Sequence, residues 1–168
     1  TFGSFITGFP GETAQTVKET ADFIRASKPD FYRAQMWYCE PGTPIMREQE
    51  KYKISGEGFV WEHATMTSLE AMDHIDRLFL TTKESIWLPQ WSFDFWFIPY
   101  ITGKGVAIDE FKQFVSHADA LLATDIAAVS DGEKQRRYKK TLGQMVELVK
   151  GWPLEPMGSV QPPAMAGA

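Results

Sequence analysis

The hydrophobic pattern of the first part of the chain predicts a strand, a helix and a second strand. Residues 2–7 form an apolar, β-branched run that ends at Gly8-Phe9-Pro10-Gly11, a cluster that must turn the chain. A helix should follow, capped by Thr13 and ended by Lys28-Pro29, with a buried stripe of Thr16, Val17, Thr20, Ala21, Phe23 and Ile24. Residues 31–39 have the pattern of a second strand. Such a βαβ unit predicts parallel pairing with a right-handed crossover.

Beyond Pro44 the pattern predicts helices joined by polar connections, of which residues 47–58 are the first. Thr67 and Glu70 have the spacing of a capping box for a helix that runs to about Thr82. Its predicted buried face comprises Leu69, Met72, Ile75 and Phe79. Two later helices should begin at the caps Asp109 and Asp131. The last helix carries an apolar stripe that should dock on other helices, namely Tyr138, Leu142, Met145 and Val149.

The intervening segment, residues 86–101, is unusually aromatic: Trp87, Trp91, Phe93, Phe95, Trp96, Phe97 and Tyr100. Its periodicity is ambiguous, and we expect a buried segment with a short helix between Pro89 and Pro99. Core packing explains these side chains best, and a surface that stacks on a cofactor or cages a substrate is the alternative. Asp94 is the exception among them, because a buried carboxylate needs a partner such as Lys104 or Arg77.

Charge and cysteine content exclude several classes of protein. The net charge of −5 argues against general nucleic-acid binding, which needs a clustered excess of Lys and Arg. No run of about 20 apolar residues and no signal-peptide pattern is present, so we expect no membrane contact and a cytoplasmic location. Cys39 is the only cysteine, so an internal disulfide is excluded. The chain also begins inside a predicted strand, and two strands are too few for a parallel sheet, so we expect further strands upstream in a longer protein.

The turn after the first strand is the most specific candidate for a ligand site. Gly8 and Gly11 permit close backbone approaches, and the helix start after Thr13 offers free N–H groups. Ligands of α/β proteins collect at this carboxyl edge of the sheet. A tight turn without a ligand explains the two glycines equally well. A third interpretation is that the start of the helix binds an anion.

The segment from Gly8 to Thr13, the helix after it, and a second strand that closes on Pro41-Gly42-Thr43-Pro44 resemble the latter half of the radical S-adenosylmethionine (SAM) partial barrel. The match is closest to the cobalamin-dependent enzymes of that family. Residues 61–66 and 92–96 resemble the C-terminal extension of a subgroup that includes phosphinate P-methyltransferase-like enzymes. The resemblance implies an α/β fold, with the last βαβ portion of a partial TIM barrel in residues 1–46 and a mainly helical extension in residues 47–150. The Pro-, Gly- and Ala-rich composition of residues 151–168 predicts a disordered tail.

The resemblance also implies functional residues. It places Ile6, Gly8, Phe9, Gly11 and Glu12 beside SAM, and Glu40, Thr43 and His63 beside a small-molecule substrate. The parent enzyme would use SAM, an iron–sulfur (4Fe–4S) cluster and cobalamin to transfer a methyl group to carbon or phosphorus.

The sequence lacks the cysteines with which this family binds its iron–sulfur cluster. The family holds its cluster with a CxxxCxxC motif, and this chain has only Cys39, in the wrong half of the barrel. It also lacks the cobalamin-binding domain, and no His or Cys pattern has metal-ligand spacing. We therefore expect a fragment that binds no cofactor by itself and whose partners are the missing half of the barrel and the cobalamin domain. The alternative is a non-catalytic helical interaction module.

Several candidate residues can be explained either by function or by structure alone. His63 is a proton-transfer group or substrate contact in one reading and a histidine bonded to a local carbonyl in the other. Cys39 is better explained as a small buried hydrophobe than as a reactive thiol. Glu12 and Glu40 flank the expected cavity, but either charge could belong to a helix start or a loop. His74 and His117 should be exposed.

Overall fold

The computed structural model describes residues 1–88 and 96–154, which form a mixed α/β structure. The predictions for Trp91, Phe93, Asp94 and Phe95 concern residues outside this part of the chain. In chain order the elements are β1 (Phe2–Thr7), α1 (Ala14–Ser27), β2 (Phe31–Met36), a 3-10 helix (Pro44–Glu48), α2 (Gln49–Tyr52), β3 (Ser55–Glu57), β4 (Val60–His63), β5 (Met66–Thr67), α3 (Ser68–Thr81), β6 (Ile86–Trp87), α4 (Phe97–Gly103), α5 (Ile108–Ile126) and α6 (Asp131–Lys150).

The first sheet is parallel, as the βαβ pattern predicted. β1 pairs with β2 from Phe2 opposite Phe31 to Thr7 opposite Met36. A third strand, β6, pairs with the other edge of β2, so the order is β1-β2-β6. The sequence pattern missed β6, since Ile86 and Trp87 lie at the start of the ambiguous aromatic segment. β2 is also shorter than predicted, because Cys39 leaves the sheet and forms an antiparallel bridge with Gly58.

The cap of α1 and the capping box of α3 lie where they were predicted. Thr13 accepts a hydrogen bond from the Thr16 N–H at the start of α1, and Thr67 and Glu70 exchange side-chain and backbone hydrogen bonds at the start of α3. The predicted caps Asp109 and Asp131 are wrong, because both lie in the first turn of their helices. Their carboxylates favour the positive end of the helix from that position without capping it.

α1 and α3 cover one face of the parallel sheet. The first hydrophobic cluster joins Val17, Ala21 and Ile24 of α1, Ala71, Ile75 and Leu78 of α3, and Tyr32 and Ala34 of β2. The predicted stripes were partly wrong: Phe23, Leu69 and Met72 are exposed, and Leu69 keeps 79% of its surface in contact with solvent. α3 turns a different face toward the sheet, and the small side chain of Ala71 allows that helix to approach closely.

Among the described residues, a second group of side chains covers the opposite face of the sheet near the amino ends of its strands. The second hydrophobic cluster comprises Phe31, Leu88, Ile101, Val106, Phe111, Val115 and Trp152. α4 runs through Pro99 instead of ending before it, because proline is tolerated in the first turn of a helix. Residues 151–154 also depart from the expected disordered tail, since Trp152 packs on Phe114 with ring centroids 5.2 Å apart.

A small antiparallel sheet, ordered β3-β4-β5, occupies the region predicted to be a polar connection and the residues after it. Gly56 has φ +88°, and a Cβ there would lie 2.2 Å from the Val60 carbonyl oxygen, so the hairpin requires glycine. Trp61 and Met66 insert from this sheet into the first hydrophobic cluster. The first forty residues and the predicted extension therefore share one core.

α5 and α6 pack against each other. None of the side chains of α6 is buried, and Leu142, Val146 and Val149 are exposed. The stripe predicted to dock on other helices thus has apolar members that the described part of the chain leaves uncovered. Among the described residues, no helix combines the length and the apolar character that crossing a membrane requires.

Candidate functional site

The predicted ligand turn lies at the carboxyl end of β1, where Gly8 has φ +89°. A Cβ at Gly8 would lie 2.4 Å from Cη2 of Trp61, so the indole ring from β4 occupies the space that glycine leaves free. Gly11, at φ +96°, is likewise covered by Tyr52, whose ring would lie 3.2 Å from an added Cβ. The close approach expected for a ligand at these glycines is therefore made by side chains of the chain itself.

Both backbone groups of Gly8 are held by predicted site residues. The Gly8 N–H donates to Oε2 of Glu12, and Nε2 of His63 lies 3.1 Å from the Gly8 carbonyl oxygen. The hydroxyl of Thr65 donates to the Glu12 carbonyl at 2.6 Å and so joins the segment that follows β4 to the turn that follows β1. We call Gly8, Glu12, His63 and Thr65 the Gly8 clamp. It unites residues that the family resemblance had placed beside two different ligands.

His63 has both ring nitrogens engaged. Nδ1 lies 3.3 Å from the Thr65 backbone nitrogen, a donor, and Nε2 faces the Gly8 carbonyl, an acceptor. This pattern fits Nε2 as the donor and Nδ1 as the acceptor. The ring is buried and stacks on Trp61, with centroids 5.3 Å apart and an interplanar angle of 6°. His63 is therefore bonded to a carbonyl, as its second reading had it, but that carbonyl is 55 residues away.

Ile6 and Phe9 are exposed side chains that a ligand could reach at this edge. Ile6 is 57% exposed on the open face of the sheet, and Phe9 is 45% exposed with its ring edge-on to Trp37 at 5.9 Å. On the same face Nε of Arg33 lies 3.4 Å from the Ser4 hydroxyl. These groups form an exposed surface next to the Gly8 clamp that carries both apolar and polar side chains.

Glu40 and Thr43 lie together in a separate turn. The Thr43 hydroxyl donates to the Glu40 carbonyl at 2.7 Å, and the Glu40 side chain is exposed. Within the described residues, no hydrogen bond joins either residue to the Gly8 clamp. The placement of Glu40, Thr43 and His63 around one substrate therefore stays a prediction.

Cys39 does not fit the role of a cluster ligand. Its side chain is fully buried, and Sγ contacts the Gly56 carbonyl at 3.5 Å and Met46 Sδ at 3.9 Å. Burial, with smaller contributions from Glu40 and Glu57, raises the pKa of the thiol, which disfavours the thiolate that binds metal. Across residues 1–88 and 96–154, no group of three His, Cys, Asp or Glu side chains could hold a metal ion. The donor set therefore does not fit an iron–sulfur cluster.

The other two histidines are not part of the Gly8 clamp. His74 lines a groove of about 270 Å³ between α1 and α3, together with the cationic side chains of Lys18, Arg25 and Arg77. His117 lies in α5 and, like His74, is half-buried where exposure was expected. Lys104, one of the two proposed partners of Asp94, places its ammonium 5.8 Å from the ring centroid of Tyr100.

The sequence analysis missed Thr65 and Trp61 as parts of the site. Trp61 donates from Nε1 to the Trp37 carbonyl at 2.9 Å and fills the space beside Gly8. The only signal available was the family-like run of residues 61–66, which contains both. No known protein family, curated protein or solved structure matches this chain.

Proposed function

We propose that this chain forms part of the SAM-side and substrate-side wall of a cobalamin-dependent radical SAM enzyme of the methyltransferase type. The Gly8 clamp carries the proposal. It fixes the turn after a parallel strand at the edge where α/β proteins bind ligands, and it leaves Ile6 and Phe9 facing outward. The motif from Gly8 to Thr13 supplies the link to this family, and a partial barrel is the fold that the link implies.

The open side of the sheet supports the same proposal. β1 is an edge strand of the described sheet, and Ser4 and Ile6 are exposed on its uncovered face. An unpaired edge next to an exposed apolar side chain is a surface that another strand can cover. In the proposed parent, further barrel strands would pair there and enclose the cofactor between them and Ile6.

The proposal divides the chemistry between segments of a longer protein. Radical generation would belong to a segment with the CxxxCxxC motif, since the single buried thiol of this chain does not fit the cluster. Cobalamin would bind in a further domain, and this chain would contribute binding surface and the supporting clamp. The methyl acceptor would be a small molecule, and a reducing cytoplasm is the compartment we propose.

The test begins with the DNA upstream of the codon for Thr1. An open frame that continues upstream and encodes CxxxCxxC is expected, and a start codon just upstream without that motif would refute the proposal. With the longer protein in hand, SAM binding is measured after anaerobic reconstitution. Phe9→Ala should weaken it about tenfold, the order expected for one buried aromatic contact.

Phe23→Ala is the control, because Phe23 is also an exposed phenylalanine, 60% against 45% for Phe9, and it lies on α1, outside the turn. Its SAM affinity should equal that of the unaltered protein. Equal losses in the two variants would show that the turn has no special part in binding SAM.

A helical interaction module is the second candidate, and the exposed stripe of α6 favours it. In that case Leu142→Asp would abolish association with another protein without lowering the melting temperature, because Leu142 is exposed. Association of the chain with a second copy is measured by sedimentation equilibrium. If the unaltered chain and Leu142→Asp both have the molecular mass of a monomer, a second copy of the chain is ruled out as the partner of this face.

A further inference from the structure

The groove between α1 and α3 combines an apolar floor with a cationic rim. Its floor consists of the nearly buried side chains of Val17, Ala21 and Leu78, and its rim carries Lys18, Arg25 and Arg77. None of the described residues that line the groove has a carboxylate. A site of this composition attracts a ligand that is anionic at one end and apolar at the other.

Arg25 spans the groove from one helix to the other. Its Nη1 donates to Oδ1 of Asp22 at 3.0 Å, and its Nη2 donates to the hydroxyl of Thr81 at 3.1 Å. Thr81 in turn donates to the carbonyl of Arg77 at 2.7 Å. These bonds orient the guanidinium group, which has five N–H donors in total. The Arg25 side chain is 32% exposed, so a ligand can reach donors that the protein does not use.

Two of the three cationic groups have no carboxylate partner. Within residues 1–88 and 96–154, neither Lys18 nor Arg77 forms an ion pair, and both side chains are exposed. Glu70, one turn before His74 on α3, is held in the helix cap by the Thr67 N–H at 2.8 Å. Two positive charges therefore stay uncompensated in one groove of a chain whose net charge is −5. This local excess favours an anion with more than one charge.

The two arginines lie at the same end of the groove. Arg77 is one helical turn before Thr81, which Arg25 contacts, whereas Lys18 lies about two turns before Arg25, roughly 10 Å along the axis of α1. An anionic group at the arginine end therefore leaves the rest of a ligand over the apolar floor.

The charge and the volume of the groove define the ligand. A phosphate monoester carries about −1.5 to −2 charges at neutral pH and has three acceptor oxygens, which suit the forked donors of arginine. The groove has a volume of about 270 Å³, and a cavity of about 150 Å³ already holds benzene. A body of the size of one ring therefore fits beside the phosphate.

We propose that the groove between α1 and α3 binds a small phosphate monoester, with its phosphate at Arg25 and Arg77 and its apolar body on Val17, Ala21 and Leu78. The site does not depend on the proposed enzymatic function, because it shares no residue with the Gly8 clamp. A phosphorylated side chain of another protein has the same chemistry. The small volume of the groove favours a free small molecule.

Phenyl phosphate is the probe, titrated at low ionic strength into the 15N-labelled chain while the amide signals of Ala21 and Leu78 are followed. We expect saturable shifts of both signals and no comparable shift at Gly8. Arg77→Gln should raise the dissociation constant about tenfold, the loss of one charge-assisted hydrogen bond. The variant should melt at the same temperature as the unaltered chain, because Arg77 is exposed.

Arg47→Gln is the matched control. Arg47 is an exposed arginine of the 3-10 helix that forms no ion pair within the described part of the chain. Both variants lose one positive charge, so the difference between them separates the groove from general attraction to the protein. The dissociation constant of Arg47→Gln should stay within about twofold of the unaltered chain.

The apolar floor is tested with two fragments of the probe. Inorganic phosphate should bind at least about tenfold more weakly than phenyl phosphate, and benzyl alcohol should give no saturable shift. Equal affinities of the two arginine variants, or of inorganic phosphate and phenyl phosphate, would overturn the proposal. Tighter binding of sodium benzoate would overturn it by identifying a carboxylate ligand. Tighter binding of a phosphotyrosine peptide would overturn it by identifying a protein ligand.

Discussion

The pH dependence of stability tests whether the carboxyl group of Asp119 is buried where α5 packs against the sheet. Its carboxyl group lies between α5 and β6, where burial is the main cause of its raised pKa. Asp119→Asn keeps the shape and polarity of the side chain and removes its titration. The expected effect is therefore on the pH dependence of stability, and only slightly on stability at low pH.

The magnitude follows from the two pKa values of this group. In the unfolded chain the pKa is 3.8, and in the folded chain it is about 7. Between these values the folded state holds more protons than the unfolded state, so stability falls as pH rises. A shift of this size corresponds to a loss of about 3 kcal/mol between pH 4.5 and pH 7.5. The Asp119 side chain is partly exposed, so solvent screening lowers this figure, and we expect a loss of about 1–3 kcal/mol.

Urea unfolding followed by circular dichroism, at half-unit steps from pH 4.5 to pH 7.5, measures this loss. The unaltered chain should lose stability across the interval, and Asp119→Asn should remove about 1–3 kcal/mol of that loss. Asp109→Asn is the control, because Asp109 is exposed on the same helix. Its replacement should lower stability by a similar small amount at each pH and leave the slope of the pH profile unchanged. Parallel profiles for the unaltered chain and Asp119→Asn would refute the assignment of a buried, protonated carboxyl group at this site.

Further substitutions test the clamp and the sheet. Gly8→Ala should destabilise the chain by about 2–4 kcal/mol in urea unfolding, because its Cβ would clash with Trp61 at a positive φ, whereas Gly42→Ala, with no atom within 4 Å, should change stability by less than about 0.5 kcal/mol. Equal effects would contradict the packing at Gly8. Tyr32→Phe removes a buried hydroxyl that donates to the Leu78 carbonyl at 3.1 Å, and thermal melting should show a loss of about 1 kcal/mol. Ile6→Lys should reduce self-association of the isolated chain in light scattering, because it places a charge on the open face beside the β1 edge; unchanged association would locate the contact elsewhere.

Local signals made several elements predictable. Thr13 and Thr67 predicted the starts of α1 and α3, because a capping hydroxyl bonds a backbone N–H only three residues away. The parallel pairing of β1 and β2 followed from the length of the connection between them. Helix faces were less predictable, since Leu69 is apolar yet exposed and the choice of buried face depends on what the sheet presents to α3.

The candidate site was predictable only in part. Gly8 and Glu12 stand close in sequence, so the turn could be found. The contact between His63 and the Gly8 carbonyl joins residues far apart in the chain, and no periodicity encodes it. The β3–β4 hairpin, which delivers His63, was missed because β3 is a three-residue strand of Ser, Gly and Glu without apolar alternation. Asp119 was missed because a carboxylate on an amphipathic helix looks solvated until the packing of α5 is known.

The position of β2 between two cores has a consequence for local opening of the molecule. Phe31 points into the second hydrophobic cluster and Tyr32 into the first, so consecutive residues of one strand anchor opposite layers. Neither layer can detach without disturbing that strand, and the amide protons of β2 should exchange with solvent deuterium only when the whole domain unfolds. The amides of α6, a helix without a buried side chain, should exchange orders of magnitude faster through fraying of that helix alone.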